Sequence, residues 1–324
     1  MTRFLAQYGW SLSLAALLAV LLIAARLIQP NFGISGLYSI GQSALPFALA
    51  TLGMAVVVIA GGIDLSIASM MAVCSVTAAR LMEGAGDGQS LLIVALVLLV
   101  GSAMGAINGA LVVITRVPDI VVTLSMLFVW QGTALLILNA PGGAMTPWLR
   151  DLISGGVTVP GLPPGLTAWL PKSVVFLILC ALVVWLPVRG SKLGLMFYAI
   201  GSDPLAAFRS GVAVGRTKVA AYAVTGLFAA LGGIALTMNT GNGAPIPGPY
   251  LLSAVAAVVL GGVVLSGGRG GLLGPILAVF ILRLVRLDLT LLSVDPNVAT
   301  IIEGLIMVVV VMLGAVVVMR GQAK

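Results

Sequence analysis

Unbroken apolar stretches, each long enough to cross a lipid bilayer, leave this chain few ways to fold. A spanning helix needs about 20 apolar residues. Runs of that kind lie near 10–28, 38–60, 64–82, 91–114, 119–138, 171–187, 218–238, 250–266, 271–287 and 298–319. Only GGID separates the second run from the third. Of the 324 residues 60% are hydrophobic and 8% charged, against roughly a quarter charged in soluble domains. That leaves too little polar surface to wrap a water-soluble globule. The pattern predicts an all-α polytopic membrane protein with about ten transmembrane helices in a single transmembrane domain, 1–324.

Charge placement then sets an expected orientation. The net charge is +7, but the basic residues stand singly at the ends of apolar runs. Orientation signals are placed that way; nucleic-acid surfaces are not, and no nucleic-acid partner is expected. With Arg3 inside, ten crossings also put Arg320 and Lys324 inside, so both termini are expected in the cytoplasm. The same parity places the loop at 189–217 inside. Arg189, Lys192, Arg209 and Arg216, with the adjoining Lys218, face the single acid Asp203 there. The loop at 139–170 then lies outside, with Arg150 against Asp151 and with Trp148 and Trp169 suited to the membrane–water interface. The start, MTRFLAQYGW, lacks a small-residue cleavage site and reads as a first membrane helix.

Several chemistries are disfavoured. The chain has no histidine, the usual general base and metal ligand. Cys74 and Cys180 lie inside apolar segments and read as small buried hydrophobes. SGGRGGLLG at 266–274 is glycine-rich but lacks the Gly-Lys-Ser/Thr that holds a triphosphate and its magnesium, so it reads as a tight turn. No catalytic residue, metal site or cofactor of its own is expected.

The polar residues inside the apolar runs are the candidates for function. In VVVIAGGIDLSIASM (56–70), Gly61 and Gly62 loosen the helix or allow close packing. Asp64 then either caps a new helix start, with Ser66 sharing that work, or sits wet in a turn at the membrane face. In GAINGALV (105–112), Gly105 and Gly109 have the spacing of a close helix contact. Asn108 could hydrogen-bond across that contact or line a pathway. Thr123 and Trp130, seven apart, share a helix face. The indole suits either the apolar face of a sugar ring or an interfacial anchor. Arg283, Arg286 and Glu303 lie towards the outer ends of the last two runs, where an ion pair or a polar route for cargo is open. VIAGGIDLS (58–66) and VVLGGVVLS (258–266) match in register as a weak internal repeat.

GSDPLAAFRSGV (201–212) is a short helix with its start and stop written in. Ser202 or Asp203 can cap it, Pro204 fits the first position and Gly211 the C-terminal turn.

In this order and spacing, GGIDLS, GAINGALV, VPDIVVTLSM, GSDPLAAFRSGV and VVLGGVVLSGGRGG resemble the ribose/xylose/arabinose-type ABC transporter permeases, over roughly residues 35–315. The resemblance implies a bacterial inner-membrane importer subunit working as a pair of permeases. It implies a cytoplasmic ATPase that binds ATP and magnesium, and a periplasmic or lipid-anchored sugar-binding protein. It also implies that 201–212 docks on the ATPase: Asp203 and Pro204 start the helix, Ala206 and Ala207 form a flat contact surface, Arg209 pairs with an acid on the ATPase and Gly211 ends it. Related permeases carry branched-chain amino acids or nucleosides, and an ion-coupled carrier is a further alternative. Three departures are Ala68 for a glycine, Gln131 for an arginine, and Arg283 and Arg286 where amides are common.

Overall fold

The computed structural model describes residues 2–30, 32–158, 161, 167–246 and 248–322. The side chains of Arg3 and Arg320, and all of Lys324, lie outside the described residues. The described residues form thirteen helices and no strand: α1 (Thr2–Ile28), α2 (Ile34–Ile59), α3 (Ile67–Met82), α4 (Asp87–Thr115), α5 (Asp119–Ile137), α6 (Pro147–Asp151), α7 (Lys172–Gly190), α8 (Lys192–Ser202), α9 (Pro204–Arg209), α10 (Val214–Thr240), α11 (Tyr250–Leu260), α12 (Leu273–Leu291) and α13 (Pro296–Gln322). The chain is an all-α polytopic membrane protein. Among the described residues six helices are long and apolar enough to cross a bilayer: α1 over Gly9–Ile28, α2, α4, α5, α7 and α10.

Helices α2 and α10 form the middle of the bundle and are the most deeply buried of these six. They pack on each other and on α3, and α10 also lies along α4. That last contact is built on missing side chains. A Cβ at Gly105 would strike the Tyr222 carbonyl, one at Gly109 the Val219 backbone, and one at Gly226 the Gly101 carbonyl. The small-residue spacing in α4 therefore does bring two backbones together. Helices α1, α4, α5 and α7 turn apolar side chains outward, as a bilayer requires. Cys74 and Cys180 are free thiols.

One expected span is not a continuous helix. The run at 250–266 is helical only to Leu260, where the Gly262 N–H bonds the Val259 carbonyl and the Val263 N–H the Val258 carbonyl. Those two bonds form a Schellman cap, and Gly262 takes the positive φ, +81°, that it needs. Helix α2 ends in the same motif. The Gly61 N–H reaches the Val58 carbonyl, the Gly62 N–H the Val57 carbonyl, and Gly61 has φ +76°. The internal echo is thus structural, but shifted by one residue: Gly61 corresponds to Gly262 and not to Gly261. The indole of Trp10 in α1 donates to the Leu260 carbonyl at 2.9 Å, closing an orphan acceptor of the broken helix.

The segment 139–170 is ordered where described. Gly142 bridges to Gly243 and Gly156 to Pro171, the Trp148 indole donates to Ser90 Oγ at 3.0 Å, and Leu149 and Ile153 are buried.

Candidate functional site

The two helix breaks meet at one end of the bundle, together with the end of α8. The Gly268 N–H donates to the Ile59 carbonyl at 2.9 Å, crossing from one break to the other. Gly201 lies against both: a Cβ there would overlap the Ile59 carbonyl and crowd the Gly268 nitrogen. The Tyr198 hydroxyl adds a bond to the Gly270 carbonyl at 2.8 Å, and burial pushes its pKa up. Three backbones thus touch where side chains would normally separate them. Arg116, Arg189, Lys192, Arg209, Arg216, Lys218 and Arg269 belong to the same end, which we call the basic end.

From this knot projects α9. The Asp203 carboxylate caps it, accepting the N–H groups of Leu205 at 2.8 Å and Ala206 at 3.0 Å. Pro204 occupies the first turn and Gly211, at φ +85°, closes the C-terminus. Ser202, the other candidate cap, closes α8 instead. The two alanines differ: Ala206 is exposed, whereas Ala207 is buried at 5%. The expected flat surface of both alanines is therefore corrected. Adjacent helix positions lie about 100° apart, so the two alanines do not share one face, and the outward apolar groups are Leu205 and Phe208, three apart. Arg209 is exposed.

Just beyond Gly61 and Gly62, a buried polar chain runs between helices. The Trp130 indole donates to Asn108 Oδ1 at 3.1 Å, Asn108 Nδ2 to Ser66 Oγ at 2.7 Å, and Ser66 Oγ to Asp64 Oδ1 at 2.7 Å. Asp64 Oδ1 also accepts the Ser66 N–H at 2.9 Å. Asp64, Ser66, Asn108 and Thr123 are fully buried, so the wet-turn reading of Asp64 does not hold. Asp64 folds the turn that leads into α3, for which Ser66 is the N-cap residue. Asp64 Oδ2 has no partner among the described residues. Thr123 accepts the Leu65 N–H at 3.0 Å and donates to the Asp119 carbonyl at 2.8 Å. The Trp130 ring nitrogen is committed to Asn108.

The sequence reading missed the neighbouring cluster. Lys218 Nζ pairs with Asp119 Oδ1 at 2.8 Å, and the Tyr222 hydroxyl reaches Asp119 Oδ2 at 2.9 Å and the Ile63 carbonyl at 3.2 Å. Its members are about a hundred residues apart, and Asp119 after Pro118 reads as an ordinary helix start.

A second site lies away from the basic end. Arg283, Arg286 and Glu303 come together around a cavity of about 310 Å³, also lined by Phe47, Tyr250 and Ser253. Arg286 pairs with Glu303 at 3.3 Å. Arg283 instead lies over the rings of Phe47, at 5.0 Å, and Tyr250, at 6.0 Å. The expected outer-end position is corrected for Arg283. It comes ten residues after the start of α12 at the basic end, or about 15 Å along the helix axis. Half the roughly 30 Å hydrocarbon thickness is the same depth. Phe47 and Tyr250 could not be told from core aromatics by sequence.

Comparison with known proteins fits this architecture. Residues 36–311 match the family model described as "Branched-chain amino acid transport system / permease component". The chain is 31% identical to "Autoinducer 2 import system permease protein LsrD" of Escherichia coli (strain K12), over 98% of this chain and 96% of that protein. The proteins of the same name from Shigella flexneri and Escherichia coli O157:H7 match to the same extent. No solved structure matches the chain significantly. Permeases of this family act with an ATPase and a substrate-binding protein. The chain belongs to this permease family, as a transport subunit of the monosaccharide-type ABC importers its motifs resemble.

Proposed function

We propose that α9 is the coupling element of this permease. It docks on a separate cytoplasmic ATPase that binds ATP and magnesium, while a monosaccharide or similar polyhydroxylated solute crosses the bundle. The observation that carries this reading is the build of α9. It is a capped helix with Leu205 and Phe208 57% and 67% exposed, seated through Gly201 on the backbone of both helix breaks. Such a stalk passes a push from the ATPase to the breaks without loss in a flexible loop. The residues involved are Ser202, Asp203, Pro204, Ala206, Arg209 and Gly211, with Leu205 and Phe208 as the apolar contact and Ala207 as its inward anchor.

The positive-inside rule supports placing the basic end, including 189–217, in the cytoplasm, with both termini there and 139–170 outside. The chain then sits in the bacterial inner membrane, receives cargo from a periplasmic or lipid-anchored binding protein, and hydrolyses no ATP itself. A second permease chain and lipid cover the apolar faces of α4, α5 and α7. A branched-chain amino acid is a poorer cargo: the full-length relatives are named for autoinducer 2, and aliphatic side chains do not call for a cavity lined by arginines, a glutamate and a serine.

The test is co-purification of the ATPase from the native host. Ala206→Glu or Leu205→Glu should abolish recovery of the ATPase and cargo uptake, with the melting temperature of the purified chain unchanged. Normal uptake by both variants would overturn the assignment.

A further inference from the structure

The mid-depth cavity is unbalanced in charge. Arg286 is matched by Glu303, but no carboxylate among the described residues lies within ion-pair distance of Arg283. Two aromatic faces hold its guanidinium, and Arg283 Nε has no hydrogen-bond partner among the described residues. Aromatic contacts offset only part of the cost of a cation at this depth.

The same cavity receives a helix start. Gly248, Pro249, Tyr250 and Ser253 line it, so the N-terminus of the half-helix α11 opens into it. No side chain caps that terminus; the Tyr250 N–H turns back to the Gly248 carbonyl at 2.7 Å, and the helix dipole leaves partial positive charge at this end of the cavity. A helix start beside an arginine that has no carboxylate of its own is an arrangement for holding an anion. The Ser253 hydroxyl and the two rings add what a hydroxylated ring uses, and about 310 Å³ suits a small solute.

We propose that this cavity binds a small hydroxylated solute carrying one negative group, such as a sugar acid, with the anion between Arg283 and the first turn of α11. The Arg286–Glu303 pair forms one wall, and Phe47 and Tyr250 receive the apolar face of the ring. The inference rests on the permease reading for its role as a transport site, but binding itself needs no ATPase.

The test is binding to the purified full-length chain in detergent, using D-galacturonate, D-galactose, acetate and L-leucine as probes. Galacturonate should bind at least about tenfold more tightly than each of the other three. Arg283→Gln should bring the galacturonate-to-galactose ratio to about one. Equal binding of galactose would overturn the anion, equal binding of acetate or leucine the polyol, and no binding of galacturonate the site. If Arg283→Gln fails to fold, the four wild-type affinities decide alone. Failure here with normal recovery of the ATPase would overturn this inference and leave the coupling assignment standing. Loss of the ATPase partner with galacturonate bound would do the reverse.

Discussion

The knot at the basic end and the cavity at mid-depth use opposite construction. At the knot, Gly61, Gly201, Gly267 and Gly268 let backbones touch. Beyond it, Asp64, Ser66 and Asn108 are sealed in a hydrogen-bonded chain with no exposed surface. At the cavity, large side chains stand around about 310 Å³ of space, and one arginine lacks a carboxylate partner. In the proposed coupling role, a junction that passes on movement gains from having no slack, because close-packed contacts do not deform gradually. In the proposed binding role, a cavity that receives a charged guest keeps volume and an arginine without its own carboxylate. The two regions are joined by α11, which starts at the cavity and ends next to the knot.

That contrast can be broken by mutation, most sharply at Gly201. Gly201→Ala puts a methyl into the Ile59 carbonyl and should cost about 3 kcal/mol or more. Thermal melting of the purified chain should show a large drop with loss of uptake. A variant melting like the parent would mean the knot has slack. Asp64→Ala removes the acceptor of two buried hydrogen bonds and should cost about 2–3 kcal/mol. Asp64→Asn keeps the acceptor and shape and should cost less than about 1 kcal/mol. If Asn is as damaging as Ala in denaturation and uptake assays, the charge of Asp64 matters and not its hydrogen bonds. The smallest effect is expected at the cavity wall, where the Arg286 side chain is 44% exposed. Glu303→Gln should cost about 1 kcal/mol or less. A fall as large as that of Gly201→Ala would show that the cavity is as rigid as the knot.

The sequence disclosed features written locally and concealed those written by distant contact. The cap at Asp203, the stop at Gly211 and the break at GGIDLS each depend on neighbours within a few residues. Gly201 gave no sign of its role, because its partners at Ile59 and Gly268 arrive from elsewhere in the chain. The inward turn of Ala207 was hidden too: six residues are too few to show a hydrophobic period. The end of α11 at Leu260 was missed although Gly261 and Gly262 mark it, since Val263, Val264 and Leu265 continue the apolar run. At the cavity, Arg283, Arg286 and Glu303 stood out as charges in hydrocarbon, whereas Phe47 and Tyr250 looked like any other membrane residue.

The bond from Trp10 to the Leu260 carbonyl has a consequence for biogenesis. Its two ends are 250 residues apart, so it forms only after most of the chain has been synthesised. Until then α1 turns most of its surface to lipid, and its Trp10 indole has no Leu260 carbonyl to donate to. A ribosome stalled before α11 would leave a nascent chain whose first helix lacks the neighbours it packs on in the finished fold. Completing α11 and α12 gives that helix its permanent neighbours, so the earliest segment made is among the last to be secured.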